Sequence, residues 1–177
     1  MKNQTILVAM LASALSCQTM AGNTYVGGSV SVQRVSAATS KYTGWRPGLF
    51  IGYGDIFDRN YYLAGEFLAS MASTFSNSYV NRDQNLRITP DFSLSFLPGM
   101  ILSPEAIGYL RLGLGIGRLH AANEWLSGIV VGAGVEFPFS PCWSVRTEYD
   151  YTVFRAIGIG TPQSNELMLS FKYTYDA

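Results

Sequence analysis

The sequence predicts an all-β fold: an eight-stranded antiparallel up-and-down transmembrane β-barrel with short turns at one end and longer loops at the other. Three observations predict it. From Asn23 onward the apolar residues recur with period two, the strand period, and not with the helical 3.6. One face of that alternation collects the strand charges together with many glycines, while the other is almost free of charge. The tryptophans and many tyrosines stand at strand ends, where a barrel meets the two surfaces of a bilayer.

Composition agrees. Charged residues are 14% of the chain, against about 25% in a typical soluble domain. Aromatics also reach 14%, a mixture that favours strands. With 12 basic and 12 acidic residues the net charge is zero, so there is no basic footprint for nucleic acid.

The first element is a secretory signal over residues 1–21. Lys2 supplies the positive n-region, Ile6 to Leu15 form the apolar stretch, and Thr19-Met20-Ala21 allows cleavage after Ala21. That stretch is too short for a spanning helix. Cys17 lies in the signal, and Ala14-Leu15-Ser16-Cys17 lacks the leucine spacing of a lipoprotein box. Residues 22–177 form the barrel domain. Cys142 is then the one remaining thiol and His120 the one histidine, so neither a disulfide nor a zinc site is expected.

Four strands are expected near 24–35, 45–54, 60–72 and 86–97, and four more follow 98–105. Val26, Val30 and Val32 oppose Tyr25, Gly27, Ser29 and Ser31; Leu49 and Ile51 oppose Arg46, Gly48 and Gly52. Phe67 opposes Glu66, and Phe92 and Leu94 oppose Arg87, Asp91 and Ser93. Leu110, Leu112, Leu114 and Ile116 alternate with Arg111 and three glycines. The last three strands repeat the pattern through Phe137, Tyr151 and Phe171. Pro47 and Pro90 cannot donate to a ladder and predict bulges or loop margins. Connections at 55–59, 98–105 and 138–142 are short, with Gly54-Asp55, Pro98-Gly99 and Ser140-Pro141 as punctuation. Those at 36–44, 73–85, 118–124 and 155–165 are longer and more polar. Short turns on one side and long loops on the other is the outer-membrane pattern.

A soluble eight-stranded barrel shares the alternation, and polarity decides between the two. The charged face carries Arg46, Glu66, Arg87, Asp91, Arg111, Glu136, Arg146, Glu148, Asp150, Glu166 and Lys172. Glycines add nothing to a wetted strand. In a narrow barrel they make room for long side chains, so the charged face is expected inside as a lumenal ion-pair network. Burying it costs little only if the charges pair, and five cations stand against six carboxylates. Two aromatic girdles are expected on the lipid face. Trp45 and Trp125 mark the loop end; Trp143, Tyr53, Tyr61, Tyr109, Tyr173 and Tyr175 mark the turn end.

The succession of strands resembles the small eight-stranded outer-membrane barrels, namely the OmpA transmembrane domain and the OmpX/opacity-type proteins. Val145-Arg146-Thr147-Glu148-Tyr149-Asp150-Tyr151 looks like that family's penultimate strand. Glu166-Leu167-Met168-Leu169-Ser170-Phe171-Lys172-Tyr173 looks like its closing strand. One departure is that Tyr175 is followed by Asp176-Ala177, where such barrels end on an aromatic. The resemblance implies a cofactor-free monomer in the outer membrane of a Gram-negative bacterium. Its partners would be membrane lipid, lipopolysaccharide and, during biogenesis, the barrel-insertion machinery.

Some barrels this chain resembles modify lipid A with a His and a Ser two residues apart. Here that position after His120 is Ala122, and the lumenal carboxylates read as structural ion pairs, so no enzyme is expected. Arg118 and His120 share the outward parity at the loop rim and are candidate contacts for lipopolysaccharide phosphates. Eight strands enclose a space just wide enough for side chains. The expected function is structural or surface-interacting, with a largely plugged lumen and host or cell-surface contacts through 36–44 and 73–85. A narrow low-conductance channel is the alternative, and a lipid A-modifying enzyme a distant third.

Overall fold

Period-two alternation becomes strand geometry throughout the computed structural model, which describes residues 23–37, 40–71, 74–76, 88–119, 124–156 and 161–175. The strands are β1 (Asn23–Ala37), β2 (Ser40–Phe57), β3 (Tyr61–Ser70), β4 (Thr74–Ser76), β5 (Ile88–Ser103), β6 (Ala106–Leu119), β7 (Glu124–Pro138), β8 (Trp143–Phe154) and β9 (Gln163–Tyr175). Each pairs antiparallel with its neighbours, and β1 pairs with both β2 and β9, which closes the sheet. β3 and β4 both pair with the same side of β2, so the two share one stave of an eight-stranded barrel. Closure pairs each of β1, β2, β3, β5, β6, β7, β8 and β9 on both sides, the condition for crossing a bilayer with strands.

Both proline expectations correspond to irregularities. The β5–β6 register shifts between Thr89 and Asp91, around Pro90. On β2, Gly48 pairs with Ser70 but Trp45 with Thr74, so the ladder changes register beside Pro47, whose carbonyl accepts from Met71 N at 2.8 Å.

Two expected connections are corrected. The β1–β2 ladder runs on to Ala37↔Ser40, so most of 36–44 is paired strand and not a loop. Likewise β5 continues through Pro98-Gly99 to Ser103, leaving Pro104 and Glu105 as the turn. The reason is physical. In 36–44 the alternation stops while the backbone still takes its ladder partners, and in 98–103 the turn-like Pro98-Gly99 lies within the strand, with Met100 and Leu102 continuing its outward face.

At the turn end, Asp58 and Arg59 have φ of 50° and 61° between β2 and β3. This is left-handed backbone normally occupied by Gly or Asn. Phe57 O accepts from Asn60 N at 3.2 Å and closes the turn.

The interior is layered. Tyr25, Phe50, Tyr62, Leu97, Ile107 and Tyr109 form an apolar, aromatic collar toward the turn end. Several of the glycines expected to make room for long charged side chains make room for these rings instead. A Cβ on Gly52 would lie 2.2 Å from the Tyr25 ring, and one on Gly134 2.6 Å from Tyr109. Leu49, Leu94, Leu114, Ile129 and Leu167 lie exposed on the outer surface.

Candidate functional site

The inward positions of β2, β3 and β5–β9 bring ten of the eleven sequence-selected charges into the barrel; Arg87 lies outside the described residues. Alternation puts each of them on the inner face, and the registers decide which meet.

Glu66 of β3 is the junction. Its Oε1 accepts from Arg111 Nη2 at 2.6 Å, and its Oε2 from Arg146 Nη1 at 2.5 Å and from the Tyr25 hydroxyl at 3.2 Å. Arg111 in turn places Nε 2.6 Å from Glu148 Oε1 and 3.7 Å from Asp150 Oδ2. Arg146 donates through Nε to Glu136 Oε2 at 2.8 Å and through Nη2 to the Tyr62 hydroxyl at 3.3 Å. Glu136 also accepts from Ser144 Oγ at 2.8 Å and pairs with Lys172. The result is a continuous run from Asp150 to Lys172. Glu66, Arg111, Arg146 and Glu148 are each no more than 2% exposed.

A second cluster lies nearer the loop end. Arg46 reaches Asp91 at 2.8 Å and Glu166 at 2.9 Å, and Glu166 also accepts from Ser31 Oγ.

The Arg146 guanidinium sits among three rings, with its carbon 4.9 Å from the Tyr25 centroid, 5.4 Å from Phe50 and 5.3 Å from Tyr109. These cation–π contacts are strong when desolvated. They correct one expectation. Tyr109 is 4% exposed and points into the lumen, not into the outer girdle. Its parity with Arg111 requires this, although its place near a strand end is that of the girdle tyrosines. Tyr25, Tyr62, Ser31 and Ser144 were absent from the expected network, although the same parity identifies them.

Trp45, Tyr53, Tyr61, Trp125, Trp143 and Tyr175 are exposed on the outer surface. Trp143 and Tyr173 pack edge to face at 4.8 Å, as do Tyr173 and Tyr175. Arg118, opposite Trp125 in the β6–β7 ladder, is exposed at the loop end. His120 and all of 73–85 except Thr74–Ser76 lie outside the described residues, as does the expected signal. Among the described residues, no three His, Cys, Asp or Glu side chains converge as metal ligands.

Comparison with known proteins agrees with this architecture. The family model for the outer membrane protein beta-barrel domain matches residues 5–174. A search of curated protein sequences finds no match. Among solved structures, Neisserial surface protein A superposes with a TM-score of 0.66 at 18% identity, over 86% of this chain and 97% of that one. Ail, the attachment invasion locus protein of Yersinia pestis, superposes with a TM-score of 0.59 at 17% identity, over 88% of this chain and 100% of that one. At these identities the likeness is one of fold. A closed eight-stranded barrel, a lumen of buried charge and an outer surface of exposed apolar side chains thus meet a family match over nearly the whole chain: the protein belongs to the outer membrane protein beta-barrel domain family and is an integral outer-membrane protein.

Proposed function

We propose that this protein has a structural or surface-interaction role, with a largely plugged lumen and its contacts made by the loops at the loop end, 73–85 foremost. The observation that carries the closed lumen is the buried run of ion pairs from Asp150 through Arg111, Glu66, Arg146 and Glu136 to Lys172. Charges paired at hydrogen-bond distance in a narrow, low-dielectric space are costly to separate, so they close the channel that eight strands leave. The surface role draws support from Ail, an attachment protein by its name, which has been crystallised with the heparin analogue sucrose octasulfate. In this reading the chain is a monomer without cofactor or catalytic activity. It is exported by a cleaved signal over residues 1–21 and inserted by the barrel-insertion machinery, and Arg118 and His120 meet lipopolysaccharide at the loop rim.

Planar-bilayer recording tests the closed lumen. The pure protein is expected to leave the baseline flat, and steady, ion-selective steps would establish the narrow-channel alternative instead. Binding of whole cells expressing the protein with and without residues 77–85 tests the surface role. Equal attachment to host cells would remove that loop from it.

A further inference from the structure

The ion-pair run leaves one feature unused. At the turn end, where the lumen opens between the short connections, lies a cavity of about 320 Å3. Its walls include Tyr25, Tyr62, Glu136, Ser144, Lys172 and Thr174, and Cys142 stands at its edge. This volume is at the lower end of the range for small-molecule sites.

The charges around it are unevenly placed. Nearest the turn end, Arg146 and Lys172 share the single carboxylate of Glu136, because Glu66 is divided between Arg146 and Arg111. Toward the loop end the order reverses among the described residues. Glu148, Asp150, Glu166 and Asp91 stand against Arg111 and Arg46. With Asp55 also on the cavity wall, the mouth is close to balanced in charge, while the lumen beyond it is negative.

Glu136 has little accepting capacity to spare, since it takes Ser144 Oγ and Arg146 Nε as well as Lys172. An ammonium has three donors, and Glu136 engages one. Lys172 is otherwise faced by the rings of Tyr25 and Tyr62, at 4.8 Å and 5.9 Å. These hold its charge in place but accept no conventional hydrogen bond. Asp55, the other carboxylate on the wall, has its Oδ1 engaged by Ile56 N at 2.7 Å.

We propose that this cavity is a binding site for a small oxyanion, a carboxylate or phosphate, whose oxygens accept from the Lys172 ammonium while Tyr25, Tyr62 and Ser144 wall it in. The site is separate from the loop-end contacts and does not depend on them.

Cys142 supplies the readout, because an occupied cavity hinders access to its thiol. Full-length protein carrying Cys17→Ser, folded in detergent micelles, is reacted with a thiol reagent in rising inorganic phosphate or benzoate. Sodium chloride at matched ionic strength is the control. Either anion is expected to slow labelling saturably, and their order ranks the two oxyanions. Lys172→Gln is expected to raise the half-protecting concentration about tenfold or more, the loss of one charge-assisted hydrogen bond. Lys172→Arg is expected to retain protection. Thr174→Trp fills the cavity while leaving every ion pair in place, and is expected to abolish the anion dependence even if Lys172→Gln does not fold. Labelling that neither anion slows beyond the chloride control overturns the site, as does protection that survives both Lys172→Gln and Thr174→Trp.

Discussion

Glu66→Gln tests whether one carboxylate holds the two halves of the ion-pair run together. The glutamine keeps the volume and one acceptor oxygen but removes the charge. Its amide nitrogen must then face either Arg111 Nη2 or Arg146 Nη1, now 2.6 Å and 2.5 Å from the carboxylate oxygens. A donor against a donor at that distance is repulsive, and the site is 1% exposed, so solvent does not screen it. Hydrogen bonds to charged groups contribute about 1.5–3 kcal/mol each. Removing one partner of a buried pair costs about 3–5 kcal/mol because the other charge is left uncompensated. Arg111 keeps Glu148 and Arg146 keeps Glu136, which puts the expected loss at the lower end, about 3 kcal/mol. Reversible urea unfolding in lipid vesicles, followed by the heat-modifiable shift on a gel, measures it. A loss below about 1 kcal/mol, the scale of exposed pairs, would refute Glu66 as the junction. A double-mutant cycle with Arg146→Met is expected to show coupling above about 1 kcal/mol, since the two groups are in direct contact.

Two other outcomes follow from the fold. Leu114, 66% exposed and outward on β6, is expected to lose about 2–4 kcal/mol of stability in bilayers when changed to Arg. A neutral result in the same vesicle assay would mean that this face does not meet hydrocarbon. Arg59→Gly relieves left-handed backbone in the turn between β2 and β3. Part of the 1–2 kcal/mol steric relief is offset by the freer unfolded chain, so a gain of about 0.5–1 kcal/mol is expected. Destabilisation instead would show that the Arg59 side chain makes a contact worth more than its strain.

The barrel is legible in the sequence because the side-chain period of a strand is two and one face must satisfy lipid. The parity of Arg46, Glu66, Arg111, Glu136, Arg146 and Lys172 is enough to turn them inward together. Tyr109 resembles a girdle residue by its place near a strand end, but its parity turns it inward. Residues 36–44 read as loop because pairing beyond the bilayer carries no hydropathy pattern. The inward glycines do make space, but the rings of Tyr25 and Tyr109, and not guanidinium groups, occupy it at Gly52 and Gly134.

Alternation by itself thus determined the eight strands over their lipid-facing stretches, their inward and outward faces and the set of buried charges, since each depends only on local chain geometry. Which charges meet was decided by tertiary structure alone. Glu66 joins Arg111, 45 residues away, and Arg146, 80 residues away. Their meeting depends on strand register and on closure of β1 against β9, which bring opposite walls of the cylinder within reach of one carboxylate. The aromatic collar around Arg146 and the cavity below Lys172 have the same origin. They lie in the space enclosed when the sheet closes, and no local pattern encodes that space.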